Sequence, residues 1–147
     1  MRIQQQIQAY LDAQPEPKRR DMQAVHEAIL AMHPQAELWF LDGRDAQGKV
    51  VSNPNIGYGT RTQTYADGST RPFYQVGLSA NPAGISVYIF GMASKDHLAK
   101  TYAPALGKAK VTGYCIKFRS LKAIELPVLM AAIREGFERG GEGAPSS

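Results

Sequence analysis

One cysteine in 147 residues and the lack of any long apolar run exclude two classes of protein. A lone cysteine cannot form an internal disulfide or a cysteine-rich zinc site. No apolar run approaches the roughly 18 residues that a membrane-spanning helix needs. Residues 1–10 also lack the basic and then apolar pattern of a secretion signal. We therefore expect a cytoplasmic protein with no membrane partner.

The sequence also lacks the motifs of catalysis and cofactor binding. None of its three histidines stands in a zinc-protease pattern. The run Gly57-Tyr58-Gly59 lacks the third glycine of a dinucleotide-binding loop. We expect no catalytic residue, no metal site and no cofactor, and a protein that is not an enzyme.

Two chemical alternatives stay open. The first is metal handling by His26, Glu27 and His33, although the two histidines lie about 10.5 Å apart along a helix and need a third ligand from elsewhere. The second is nucleophilic chemistry at Cys115, if His97 approaches it in space. Lys110 and Lys117 would lower the pKa of that thiol. A small buried cysteine is the simpler interpretation.

The length is that of one globular domain. A chain of this size buries roughly 68–70% of the surface that its unfolded form exposes, so its core needs no disulfide or structural metal. We expect one domain over residues 1–139. Residues 140–147, rich in glycine and serine, are too polar to bury a core and form a disordered tail.

Two helices are predicted in the first third. Apolar residues recur at four-residue spacing from Ile3 to Leu11, and again with helical spacing from Met22 to Met32. Pro17 is tolerated in the first turn of the second helix, and Pro34 ends it. A short helix capped by Ser94 and a last helix from about residue 125 follow later.

The middle of the chain alternates with period two and contains turn residues such as Asp67-Gly68, which predicts antiparallel hairpins. Strands are expected at 37–41, 49–52, 56–65, 73–79, 85–92 and 112–118. The strand 85–92 alternates aliphatic residues with Ser86, Tyr88 and Phe90, so it should be central and covered on both sides. In 112–118, alternation places Tyr114 beside Ile116 and Phe118. The predicted fold class is α+β, a two-layer arrangement of an antiparallel sheet with N- and C-terminal helices.

Positive charge is concentrated late in the chain. The net charge is +4, yet residues 95–122 carry seven basic side chains against Asp96 alone. Such a cluster favours an anionic partner with salt-sensitive affinity. A solvated face that only keeps the protein soluble is the alternative.

Tyrosines recur through the predicted strands, with Arg61, Arg71 and Lys117 near them. A tyrosine-rich sheet face with a cationic border suits a shallow ligand pocket, although aromatics are also common in strands. We expect a binding module for a small anionic molecule or a protein partner; a single-stranded nucleic acid is possible but not favoured. The expected ligand-binding residues are Tyr58, Tyr74, Tyr88, Tyr114, Lys108, Lys110, Lys117 and Arg119.

Several short runs occur in a specific order between about Ala9 and Phe137. They are Asn55-Ile56-Gly57-Tyr58-Gly59, Val76-Gly77-Leu78-Ser79, Ile85-Ser86-Val87-Tyr88-Ile89, Leu106-Gly107-Lys108-Ala109-Lys110, Cys115-Ile116-Lys117-Phe118 and Leu121-Lys122-Ala123-Ile124-Glu125-Leu126-Pro127. In this order the chain resembles the domain-of-unknown-function 1801 family, also called YdhG-like. The resemblance implies an antiparallel sheet with terminal helices, similar to the frataxin-like arrangement.

Some members of that family are described as iron chaperones, so the resemblance adds iron binding as an alternative function. Iron sites of this kind use clustered carboxylates on an early helix and an edge strand. The early acids here are balanced by basic neighbours, so the sequence predicts no acidic ridge. The acids are Asp12, Glu16, Asp21 and Glu27, and the basic residues are Arg2, Lys18, Arg19 and Arg20.

Overall fold

A computed structural model describes residues 2–92 and 94–140. Within them lie four α-helices, six strands and a 3₁₀ turn (Leu121–Ala123): α1 (Ile3–Asp12), α2 (Lys18–Met32), β1 (Leu38–Leu41), β2 (Asn55–Thr64), β3 (Thr70–Asn81), β4 (Gly84–Ile89), α3 (His97–Leu106), β5 (Ala109–Thr112), β6 (Cys115–Phe118) and α4 (Leu126–Gly140). The predicted α+β class, with helices at both ends of an antiparallel sheet, is confirmed. The expected tail falls mostly on residues 141–147, outside the described residues.

The predicted helical stripes account for how α1, α2 and α4 pack. Leu11 of α1, Met22 and Val25 of α2, and Leu129 and Ile133 of α4 are all 0% exposed. The helix α2 ends before Pro34, as expected. None of the helices in the described ranges is long and apolar enough to cross a membrane.

All six strands form one antiparallel sheet in the order β1-β2-β3-β4-β6-β5. The strand β4 lies between β3 and β6, so the predicted central strand is confirmed. The helices cover one face of the sheet. Gly136 of α4 packs so closely on Ile89 of β4 that a side chain at Gly136 would clash with it, and the Tyr10 ring of α1 lies 5.6 Å from the Phe40 ring of β1. We call this the helix face and the other the open face. Burying the apolar residues of the helix face drives the two layers together.

Two predicted strands are wrong. Residues 49–52 form only an isolated bridge between Arg44 and Val50. The segment 112–118 is not one strand, because a turn at Gly113 and Tyr114 separates β5 from β6. Gly113 adopts φ 44, which lets the chain reverse there. The strand β5 was therefore missed, and the predicted grouping of Tyr114 with Ile116 and Phe118 fails because Tyr114 belongs to the turn.

Candidate functional site

The open face carries one row of residues in register across five strands. From β1 to β6 the partners are Trp39, Gly57, Gly77, Tyr88 and Cys115. Because partners in antiparallel strands project to the same side, these residues share the open face. The two glycines in the middle leave a trough between Trp39 and Tyr88.

The ring of Tyr74 fills this trough. A Cβ at Gly57 or at Gly77 would come within 2.6 Å of atoms of the Tyr74 side chain. Tyr74 is consequently only 4% exposed. Burial, followed by the nearby Tyr88 and Tyr114 hydroxyls, raises its pKa well above the ordinary value, so its hydroxyl stays neutral.

Further aromatic rings extend from Tyr74 towards the edge of the face. Phe73 stacks on Tyr74 at 4.2 Å, and Phe90 stacks on Tyr114 at 4.9 Å with an interplanar angle of 25°. Tyr114 is 52% exposed. A cleft of about 380 Å³ opens beside Phe90 and Tyr114, with Lys95 on its rim. This stacked pair offers an exposed platform for a flat chemical group.

A pair of lysines lies beside this row on the β5–β6 hairpin. Lys110 and Lys117 are register partners, and Lys117 is also paired with Ser86 of β4. Both lysines are exposed, and Lys108 and Arg119 flank the hairpin. In the described part of the chain, none of these four cations forms an ion pair. Like charges directly across two strands destabilise a sheet, so an anion bound between Lys110 and Lys117 would relieve their repulsion.

Tyr58 does not lie with the other three tyrosines, which corrects the predicted site. It is 0% exposed on the helix face, and its hydroxyl lies 2.6 Å from Nδ1 of His26. His26 is itself buried. The open-face set therefore keeps Tyr74, Tyr88 and Tyr114 and gains Trp39, Phe73 and Phe90. Arg61 lies 5.9 Å above the Phe90 ring, whereas Arg71 contacts Tyr65 farther along the hairpin.

Cys115 and His97 do not approach one another as a catalytic pair. Cys115 is buried on the open face, whereas the His97 ring bonds to Glu135 of α4 in the helix layer. Burial raises the pKa of the Cys115 thiol, and this effect exceeds the predicted lowering of the pKa by Lys117. This thiol is a poor nucleophile at neutral pH.

Glu135 joins α3 to α4 through a cluster that sequence reasoning missed. It accepts hydrogen bonds from Nε2 of His97 at 2.7 Å, from the Tyr102 hydroxyl and from Nε of Arg139. Burial alone would raise the pKa of Glu135, but these three donors together lower it to about 2. His97 and Glu135 are 38 residues apart, and no local sequence signal joins them.

Replacing Glu135 with glutamine should lower the free energy of unfolding by about 1–3 kcal/mol at pH 7, since hydrogen bonds to a charged acceptor are lost. The folded pKa lies below the unfolded value of about 4.3, so the carboxylate stabilises the fold above that pH. Its contribution is lost as the pH falls from about 4.3 to about 2. Urea unfolding of both proteins across this range should show their difference shrinking; a constant difference would contradict this account.

The structure does not bring together the histidines proposed as metal ligands. His26 is buried beside Tyr58, whereas the exposed His33 packs its ring at 4.7 Å from that of Phe137. Within residues 2–92 and 94–140, no group of three or more histidine, cysteine, aspartate and glutamate side chains is arranged to hold a metal ion. Iron binding therefore stays a prediction of the family resemblance alone.

No protein-family model, curated protein or solved structure matches the chain. The resemblance to the domain-of-unknown-function 1801 family thus also remains a prediction.

Proposed function

We propose that this protein is a non-enzymatic binding module whose open face takes a small molecule with a flat ring and an anionic group. The observation that carries the proposal is the exposed Lys110–Lys117 pair, which forms no ion pair in the described ranges and lies beside Tyr88 and Cys115 of the open-face row. The ring would stack on Phe90 and Tyr114, and the anion would lie between the lysines.

The spacing on the sheet suits one small ligand. Lys117 follows Tyr114 by three positions, so the chain between them spans at most about 11 Å. ADP is a suitable probe because it carries a flat base at one end and two phosphates at the other. Adenosine and inorganic pyrophosphate each supply only one half of that chemistry. A protein partner with an acidic segment, or a single strand of nucleic acid, would use the same two features.

Isothermal titration should therefore show saturable binding of ADP, with adenosine and pyrophosphate each binding more weakly. Affinity for ADP should fall as salt rises, because charge attraction to the lysines is screened. Equal binding of ADP and adenosine would contradict the role of the lysines. An absence of any binding by all three probes would count against the ligand class.

Lys110→Glu should weaken ADP binding while it raises the stability of the fold. The change turns a cross-strand repulsion with Lys117 into an attraction, so we expect unfolding free energy to rise by about 0.2–1 kcal/mol. It should weaken ADP binding about tenfold, by removing a charged contact worth about 1.4 kcal/mol. Lys122→Glu, an exposed change in the turn after β6, is the matched control and should leave affinity nearly unchanged. If Lys110→Glu lowered stability and left ADP affinity intact, the lysine pair would have no binding role.

A further inference from the structure

A second cavity lies on the other side of the sheet, between α1, α2 and the start of β1. Its volume is about 610 Å³, within the range of small-molecule sites. Six of its nine lining residues are apolar, but the glutamines of α1 and one imidazole make its surface about as polar as apolar. The lining includes Ile7, Leu30, Ala36, Leu38, Gln4 and His26.

The contact with Tyr58 sets the tautomer of His26. The Tyr58 hydroxyl is fully buried, and its proton needs an acceptor. Among the described residues, its hydrogen-bond partner is Nδ1 of His26, at 2.6 Å. Nδ1 must therefore be the acceptor and carry no proton.

The other ring nitrogen then becomes a donor. Burial lowers the pKa of His26, against the opposing effect of Glu27, so the ring is neutral at pH 7. A neutral ring with a bare Nδ1 carries its proton on Nε2. Within the described ranges Nε2 has no hydrogen-bond partner, while the ring lines the cavity. The cavity thus combines apolar side chains with one N–H group that has no partner among the described residues.

We propose that this cavity is a second binding site, for a small apolar molecule that carries a carbonyl oxygen. The apolar side chains of the lining favour a ligand with an apolar body. The His26 N–H group selects a hydrogen-bond acceptor over a donor. The site lies on the helix face, so it does not depend on ligand binding at the open face.

Cyclooctanone and cyclooctylammonium are matched probes, since both have the same ring but one is an acceptor and the other a charged donor. Titrations followed by NMR should show saturable shifts of the His26 ring and of residues in α1 and α2 with cyclooctanone only. The ¹⁵N shifts of the ring should identify Nε2 as the protonated nitrogen. Protonation on Nδ1, or equal binding of both probes, would overturn the proposal.

Two variants test the residues that hold the ligand. The double change His26→Leu with Tyr58→Phe removes both partners of the buried hydrogen bond, so neither is left unsatisfied. It should weaken cyclooctanone about tenfold, the loss of one hydrogen bond worth about 1.4 kcal/mol. Ala36→Trp should block the cavity from its half-buried rim, and Ala131→Trp on the exposed side of α4 should not. Unchanged affinity in both the double variant and Ala36→Trp would overturn the proposal.

Discussion

Tyr58→Ala is expected to lower the free energy of unfolding by about 3–5 kcal/mol, the usual cost of truncating a large buried ring. Tyr58 is 0% exposed and belongs to the core between the helices and the sheet. The void that the missing ring leaves cannot fully close, because the sheet restricts movement of the surrounding residues. The change also leaves Nδ1 of His26 without its donor. Chemical unfolding in urea measures the effect directly.

Tyr114→Ala is the matched control for Tyr58. Its ring is 52% exposed in the turn between β5 and β6, so stability should change by less than about 1 kcal/mol. The same variant should weaken ADP binding, because it removes the Tyr114 ring from the stacked pair with Phe90. Similar stability losses at both tyrosines would contradict the assignment of Tyr58 to the helix face and of Tyr114 to the open face.

Gly77→Ala is expected to cost about 1–3 kcal/mol, the usual range for overpacking. The new Cβ would lie 2.6 Å from Cε1 of Tyr74. Because Gly77 does not have a positive φ, its backbone accepts alanine without strain. The cost therefore comes from pushing the Tyr74 ring out of the trough.

A double-mutant cycle isolates this contact. In a Tyr74→Ala background, Gly77→Ala should cost little, since alanine fits a strand at least as well as glycine does. The coupling between the two positions should fall in the range of about 0.5–3 kcal/mol that contacting residues show. Additive effects of the two changes would mean that the ring does not lie over Gly77.

The helices were predictable because their packing follows a local period. Leu11, Met22 and Ile133 each belong to a series of apolar residues at helical spacing, in α1, α2 and α4 respectively. All three are fully buried. The hairpins were predictable where a turn signal such as Asp67-Gly68 separates two alternating runs. The edge hairpin was not, because residues 109–118 alternate without an obvious break and only Gly113 marks the turn.

The faces of the tyrosines were harder to predict than their strands. Tyr58 stands between two glycines, so its neighbours in sequence do not show an alternation of polar and apolar side chains. Its spacing of two residues from the buried Ile56 does indicate the helix face. Tyr74 stands beside Phe73 on the open face, where both rings stack, and strict alternation cannot place the two together. Such placements depend on contacts between strands, which periodicity along one strand does not contain.

The cations of the candidate site were found from sequence, but their pairing was not. Residues 95–122 are visibly basic, yet nothing local places Lys110 opposite Lys117 until the turn at Gly113 is known. Lys108 and Arg119 then flank the same hairpin. Charge clustering predicted an anion partner, and the register of β5 with β6 supplies a position for it.

The most direct test of the account is an NMR titration of the amide groups with ADP. We expect saturable shifts in β4, β5, β6 and the turn at Tyr114, with the helices α1 and α2 unaffected. Lys110→Glu should reduce those shifts at the same ADP concentration. Shifts confined to the helix layer, or no saturable shifts at low salt, would contradict binding at the open face.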